Sequence, residues 1–132
     1  MKIIPDTNFL VYLFRFKLLD ELERFEKVLI IKPVLKELVM LSKSDGKRRE
    51  KQEDILACKI VLMFFNKIKD RLEYVHEIDG KAIEGKADDE LIRVAHAKSA
   101  LVGTMDKELI KRLKEKKIKV AIIRQQKFLE IQ

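Results

Sequence analysis

Apolar and polar positions along this chain switch between two periods, and the switches mark its elements. Lys2-Ile3-Ile4 is a short β-branched run stopped by Pro5, the pattern of a buried strand. From Asn8 to Phe25 the apolar residues fall at helical spacings. Leu10, Val11 and Phe14 come first, then Leu18, Leu19, Leu22 and Phe25, which predicts two short helices meeting near Lys17. Residues 28–31 read as a second strand. Pro33 stands where proline is favoured, in the first turn of a helix. Val34, Leu35, Leu38, Val39 and Leu41 continue that helix with the 3.6-residue period. Residues 42–51 predict a loop turned at Asp45-Gly46. Residues 52–69 predict the longest helix, apolar nearly all round and so buried on more than one side.

Beyond it, residues 72–76 read as a strand and 77–86 as a turn-rich connection carrying Gly80 and Gly85. A helix over 88–97, a strand over 100–103, a basic helix over 107–114 and a last strand over 118–123 follow, with 124–132 a short tail. Strand and helix alternate throughout, which predicts an α/β fold: a central parallel sheet flanked by helices on both faces. Right-handed crossovers join the strands. No repeat, low-complexity stretch or linker interrupts the pattern, so residues 1–132 are expected to form one domain. At that length, folding buries about two-thirds of the surface of the extended chain.

Against this pattern certain acids stand out by position. Asp6 follows the first strand, and Asp106 follows Leu101-Val102-Gly103-Thr104-Met105. Glu37 lies one turn into the helix opened by Pro33, and Asp88-Asp89 opens another helix. In a parallel sheet these places converge at the carboxyl edge, where open α/β sheets bind ligands. Crowded carboxylates repel one another and resist ionisation. A hard divalent cation removes that repulsion and supplies hydrolytic chemistry. Carboxylate and water ligands suit Mg²⁺ or Mn²⁺; zinc usually recruits His or Cys. The expectation is a Mg²⁺- or Mn²⁺-dependent hydrolase of phosphodiesters. A plainer role exists for Asp6, Asp88 and Asp106, because each stands at a helix start and Asp caps helices well. Asp45, Asp54, Asp70 and Asp79 fall outside these positions and read as surface residues.

Charge sharpens the choice of substrate. With 29 Lys and Arg against 22 Asp and Glu, the net charge of +7 suits a polyanionic partner. Lys43, Lys47, Arg48, Arg49 and Lys51 crowd one loop, a candidate nucleic-acid contact. A second set comprises Lys107, Lys111, Arg112, Lys114, Lys116, Lys117 and Lys119, with Arg124 and Lys127 beyond; it serves phosphate or is merely a solvated face. No RNA-recognition aromatic motif is present, so reading of specific bases is not expected. The lone Cys58 excludes an intramolecular disulfide and reads as a small core residue. No apolar run reaches the roughly 18–20 residues of a membrane span, and a cytoplasmic, membrane-free setting is the expectation. His76 and His96 are poor catalytic candidates, and the Met and Phe residues of the longest helix read as core, or less readily as a dimer face.

Several blocks carry a family resemblance. Ile3-Ile4-Pro5-Asp6-Thr7-Asn8-Phe9-Leu10 resembles the opening of a PIN domain, an apolar strand ending in Asp-Thr-Asn. Val34-Leu35-Lys36-Glu37-Leu38 resembles the helix bearing the second acid. Ala87-Asp88-Asp89-Glu90-Leu91-Ile92 resembles the third-acid block, and Val102-Gly103-Thr104-Met105-Asp106-Lys107-Glu108-Leu109 the fourth. The four stand in family order over nearly the whole chain. The resemblance implies a five-stranded parallel sheet and metal-dependent ribonuclease activity. It implies Asp6, Glu37, Asp89 and Asp106 as catalytic acids and, with Asp88, as metal ligands, Asp89 aligning better than Asp88. Thr7, Asn8 and Thr104 are then expected to orient Asp6 by hydrogen bonds.

The double acid and the tail Ile123-Arg124-Gln125-Gln126-Lys127-Phe128-Leu129-Glu130 are similar to archaeal proteins resembling the eukaryotic PIN factor of small-subunit ribosomal RNA processing. VapC toxins of toxin–antitoxin pairs share the acids. The expected partners are accordingly RNA, an antitoxin or a ribosome-assembly partner, and a second copy of the chain. The alternative is a catalytically idle PIN module that binds RNA or a protein in a larger assembly. Pro5, before the first acid, and Met105, between Thr104 and Asp106, depart from the family pattern, but neither removes an acid.

Overall fold

The β-branched run at the N-terminus becomes the centre of the sheet. Strand β1 (Lys2–Pro5) pairs in parallel with a strand on each side, and Ile3 and Ile4 are fully buried. The computed structural model describes residues 1–44 and 49–132, with backbone alone for 49–51. After β1 come α1 (Thr7–Arg15), a 3-10 turn at Leu19–Arg24, β2 (Lys27–Ile31), α2 (Lys32–Ser42) and α3 (Arg49–Lys67). Strand β3 (Leu72–Val75) leads into a small hairpin, β4 (Glu77–Ile78) and β5 (Lys81–Ala82). The chain continues as α4 (Ala87–Lys98), β6 (Leu101–Gly103), α5 (Lys107–Glu115), β7 (Val120–Arg124) and β8 (Phe128–Ile131). Among the described residues no helix is long and apolar enough to cross a membrane.

The sheet order is β3-β2-β1-β6-β7-β8. All five expected strands form, and they are mutually parallel. The sixth corrects the reading of residues 124–132 as a tail: β8 runs antiparallel to β7, with Ile123 opposite Leu129. Leu129 points inward while Phe128 and Ile131 stay exposed, a strand pattern too short to announce itself. Its turn is also disguised. Gln125 and Gln126 take the left-handed conformation (φ 52° and 57°), and Lys127 N donates to Arg124 O at 2.9 Å. Glycine or asparagine usually signals that geometry. By contrast, the β4–β5 hairpin inside the expected connection turns on Asp79-Gly80 (φ 50° and 80°), a recognisable pair.

From β1 the chain steps through β2 to β3 in one direction. It then returns past β1 to β6 and goes on to β7. Right-handed crossovers therefore place α1, α2 and α3 on one face and α4 and α5 on the other. The packing agrees: α2 and α1 lie against α3, α4 against β6 and α5 against β7. The direction reverses between β1 and β6, where a crevice opens at the carboxyl ends of both strands.

Lys17 breaks α1 from the following turn at φ 59°, at the predicted junction. Cys58, with Ala57, Val61 and Phe65, is buried as expected of α3. That helix is less enclosed than its composition suggests, since Leu56 and Met63 are 52% and 67% exposed. Leu56 and Met63 are seven residues apart and share one outward stripe. Behind the hairpin, the nearly buried Glu90 accepts from Arg93 Nη2 at 2.7 Å. The same guanidinium donates to Ala82 O at 3.1 Å, tying β5 to α4.

Helix α1 approaches β6 closely because Gly103 has no side chain. A Cβ there would lie 2.6 Å from Phe9 Cε2 and 2.8 Å from its Cδ2, and the Phe9 ring is fully buried. Gly103→Ala should therefore cost about 1–3 kcal/mol through overpacking, read as a lowered midpoint in thermal or urea unfolding. Combined with Phe9→Leu, the two losses should be less than additive; strict additivity would mean that ring and glycine do not meet.

Candidate active site

Strand β1 ends at Pro5, and Asp6 turns the chain into α1 with extended backbone (φ −85°, ψ 171°). Its Oδ1 accepts from Phe9 N at 2.7 Å, so Asp6 is the N-cap of α1. The capping role does not exclude a site role, because the second oxygen faces elsewhere. Asp6 Oδ2 accepts from Thr104 Oγ1 at 2.5 Å. Thr104 is fully buried just past β6, and its Oγ1 in turn accepts from Asp106 N at 3.1 Å. Asp106 caps α5 by accepting from Leu109 N at 3.0 Å. The ends of β1 and β6, hydrogen-bonded through Asp6 N to Gly103 O at 2.9 Å, thus hold two acids side by side.

Two more segments complete the cleft. Glu37, on α2, accepts from Thr7 Oγ1 at 3.2 Å. Asp88, in the first turn of α4, enters from the opposite face of the sheet. Asp6, Thr7, Asn8, Tyr12, Glu37, Asp88 and Asp106 line a cleft of about 270 Å³, floored by Val34, Ala87, Leu91 and Met105. The structure therefore brings four of the five predicted acids together.

Asp89 is the exception. Its Oδ1 accepts from Arg112 Nη2 on α5 at 2.7 Å, and it is not part of the cleft wall. Adjacent helical residues point roughly 100° apart, so only one of the two can face the cleft. The better alignment of Asp89 with the family block does not agree with this placement. The stripe of α4 gives a better guide: Asp88 stands three and seven residues before the buried Leu91 and Ala95, on the same side.

The supporting residues divide similarly. Thr104 holds Asp6 as expected. Thr7 holds Glu37 instead, and Asn8 is exposed in the cleft without a hydrogen bond to Asp6 among the described residues. Sequence reasoning missed Tyr12. It shares the outward side of α1 with Asn8 and Arg15, an aromatic residue at polar-face spacing.

Burial pushes the Asp6 carboxyl up to about 6. The hydrogen bonds from Thr104 and Phe9 N oppose the shift, and the charges of Asp88 and Asp106 add to it. Asp88 is raised as well, first by desolvation and then by Asp106, with Arg112 opposing. Asp6, Asp88 and Asp106 therefore lie in one another's electrostatic field. An all-oxygen donor set of this kind fits a hard divalent cation. As the side chains stand, however, no three Asp, Glu, His or Cys groups among the described residues close around one point. Both Asp6 oxygens and one of Asp106 are occupied by caps and by Thr104.

Lys43, at the end of α2, is exposed. Lys47 and Arg48, with Asp45-Gly46, lie outside the described residues, as do the side chains of Arg49 and Lys51. The second basic set is partly engaged within the molecule. Arg112 pairs with Asp89, Arg124 bonds Glu130, and Lys114 Nζ donates to Gln132 Oε1 at 2.7 Å. His76 and His96 are exposed and outside the cleft wall, and burial raises the Cys58 thiol to about 11, in keeping with a core residue.

A family model described as a PIN like domain matches residues 3–126. The chain belongs to the PIN-domain family. It is also 35% identical over 138 aligned residues to Ribonuclease VapC4 of Methanocaldococcus jannaschii, covering 98% of this chain and 95% of that protein. Among solved structures it is similar to a domain of a functionally unknown protein from the same organism. The TM-score there is 0.61 at 20% identity, covering 93% and 91% of the two chains. It is also similar to VapBC2 from Rickettsia felis bound to a DNA fragment from their promoter. That match has a TM-score of 0.52 at 22% identity and covers 85% of this chain and 92% of the other. At those identities the two structures support the fold, and the PIN resemblance read from the acid blocks is borne out by the family match.

The raised Asp6 predicts the electrostatics of this PIN domain without metal. The folded state holds the proton more tightly than the unfolded chain, so stability is greatest below the ordinary carboxyl pKa near 3.8 and falls as pH rises through about 6. A shift of that size corresponds to on the order of 2–3 kcal/mol at neutral pH. In chelator, Asp6→Asn, which keeps an acceptor for Phe9 N, should melt several degrees above the parent at pH 7.5. The two should coincide near pH 4. A lower melting temperature for the variant at pH 7.5 would count against a crowded acid cluster.

Proposed function

We propose that this PIN domain is a divalent-metal-dependent endoribonuclease. The observation that carries the reading is the convergence of Asp6, Glu37, Asp88 and Asp106, from four separate segments, at the point where the sheet reverses direction. Identity to a relative named as a ribonuclease along almost its full length supports RNA as the substrate. These four carboxylates would hold Mg²⁺ or Mn²⁺. Such an ion supplies hydroxide from bound water at neutral pH and stabilises negative charge on phosphoryl oxygens.

The chain's own contribution is placement. Thr104 fixes the Asp6 carboxylate through Oδ2, and Thr7 fixes Glu37. Asp106 is tied by its backbone N–H to the same threonine hydroxyl that holds Asp6, so a buried side chain links the two acids. The net positive charge attracts the RNA strand, and Lys43 stands at the rim of α2 to meet it. The VapC name of the relative favours an antitoxin-type inhibitor over a ribosome-assembly factor as protein partner.

One observation favours the idle-module alternative: Asp6 and Asp106 are engaged as helix caps, and among the described residues the acids do not close around one point. Cleavage assays separate the two. Single-stranded RNA should be cut in Mn²⁺ and left intact in chelator. Asp6→Asn and Asp88→Asn should each lower the rate roughly 100-fold or more, the scale expected when a metal site is damaged, while Asp89→Asn should leave it close to the parent. An idle module would instead bind RNA in a salt-dependent way indifferent to chelator and to all three substitutions.

A further inference from the structure

The wall of the acid cleft contains an aromatic residue that neither holds an acid nor packs in the core. Tyr12 sits six residues after Asp6 on α1, roughly 9 Å further along the helix axis. Its neighbours in sequence, Val11 and Leu13, are buried, whereas Tyr12 is 36% exposed at the cleft edge. Leaving an aromatic ring half in water forgoes the burial that normally stabilises it.

The ring is nonetheless held in place. Phe16, one turn on, stacks parallel to it with centroids 5.9 Å apart and planes inclined by 4°. The Arg15 guanidinium lies 5.9 Å from its centroid and is itself fixed by Asp54 of α3 at 2.5 Å. A braced, partly exposed aromatic beside a phosphate-directed site is the element from which stacking platforms for single-stranded nucleic acids are built. Every base offers a π-face, so such a platform selects unpaired strands without selecting sequence.

We propose that Tyr12 is a positioning residue that stacks on the base of an unpaired nucleotide next to the scissile phosphate. The role rests on the ribonuclease reading of the cleft for its biological meaning, but not for its detection. It confines the substrate to single-stranded or looped RNA, since a paired base is already stacked within its helix.

The test uses the full chain and a set of 12-nucleotide oligoribonucleotides, each carrying one 2-aminopurine at a different position, whose fluorescence reports stacking. In chelator, at least one position should change its fluorescence on binding to the parent and to Tyr12→Phe. The change should disappear with Tyr12→Ala, which should retain the parent's circular dichroism. In Mn²⁺, Tyr12→Ala should lose roughly 5- to 100-fold in kcat/KM on the same RNA, the range base–aromatic stacking supplies. An abasic nucleotide at the responsive position should cost the parent the same factor and cost Tyr12→Ala nothing further.

Identical fluorescence responses from the parent and Tyr12→Ala, or additive losses in the abasic cycle, would overturn the proposal. A Tyr12-dependent response from a protein that cuts no RNA in Mn²⁺ would sustain the stacking role and sink the ribonuclease reading instead.

Discussion

Like charges brought together at a sheet edge impose the constraint on which this molecule is organised. Burial raises the cost of ionising Asp6 and Asp88, and nearby charges add to it, Asp88 and Asp106 at Asp6 and Asp106 at Asp88. Nothing in the interior requires this arrangement; a cap at Asp6 alone would leave α1 equally well started. The cluster persists because the surrounding structure over-determines it. Five parallel strands fix the ends of β1 and β6 beside each other, and Thr104, fully buried, bonds both acids that follow those strands. A group buried at such cost is where functional chemistry is expected.

Helix capping takes only part of the bonding capacity of each aspartate. Each aspartate has two oxygens. At Asp6 one oxygen serves the helix and the other faces Thr104, while at Asp106 the capping oxygen satisfies Leu109 N. Caps hold a carboxylate rigidly at the N-terminus of a helix, where the macrodipole favours its charged form. That offsets part of the repulsion within the cluster. Capping at Asp6 and at Asp106 therefore takes one carboxylate oxygen of each, and the second Asp6 oxygen is held by Thr104.

The sheet was legible in the sequence because its five central strands are short apolar runs bounded by clear punctuation. Pro5 closes β1, Pro33 opens α2 after β2, and Gly103 with Thr104 closes β6. Strand β8 was not, because its turn places two glutamines in the left-handed conformation, a choice dictated by pairing with β7 and not by local propensity. The exposure of Leu56 and Met63 was equally hidden, since composition cannot say which sides of α3 will be covered by α1 and α2. The acids were legible as a set because strand ends in parallel sheets converge. Their individual assignments were less so, since one residue of helical phase separates Asp88 from Asp89.

That phase is set by the core of α4 and not by its charges. The Arg112–Asp89 pair is exposed on both sides, 44% and 58%, and exposed pairs contribute little. Leu91, Val94 and Ala95, by contrast, are buried against the sheet and cannot rotate outward without exposing most of the helix's apolar surface. Their stripe carries Asp88 into the cleft and leaves Asp89 to find Arg112. Packing decides which carboxylate enters the cluster, and the ion pair follows from that choice. At the same end of α4, Gly85 lies close to Glu90: a Cβ there would come within 3.3 Å of Glu90 Oε1, whose carboxylate holds the Arg93 guanidinium that reaches β5. The entry of Asp88 thus depends on apolar contacts behind it, which carry no chemistry of their own.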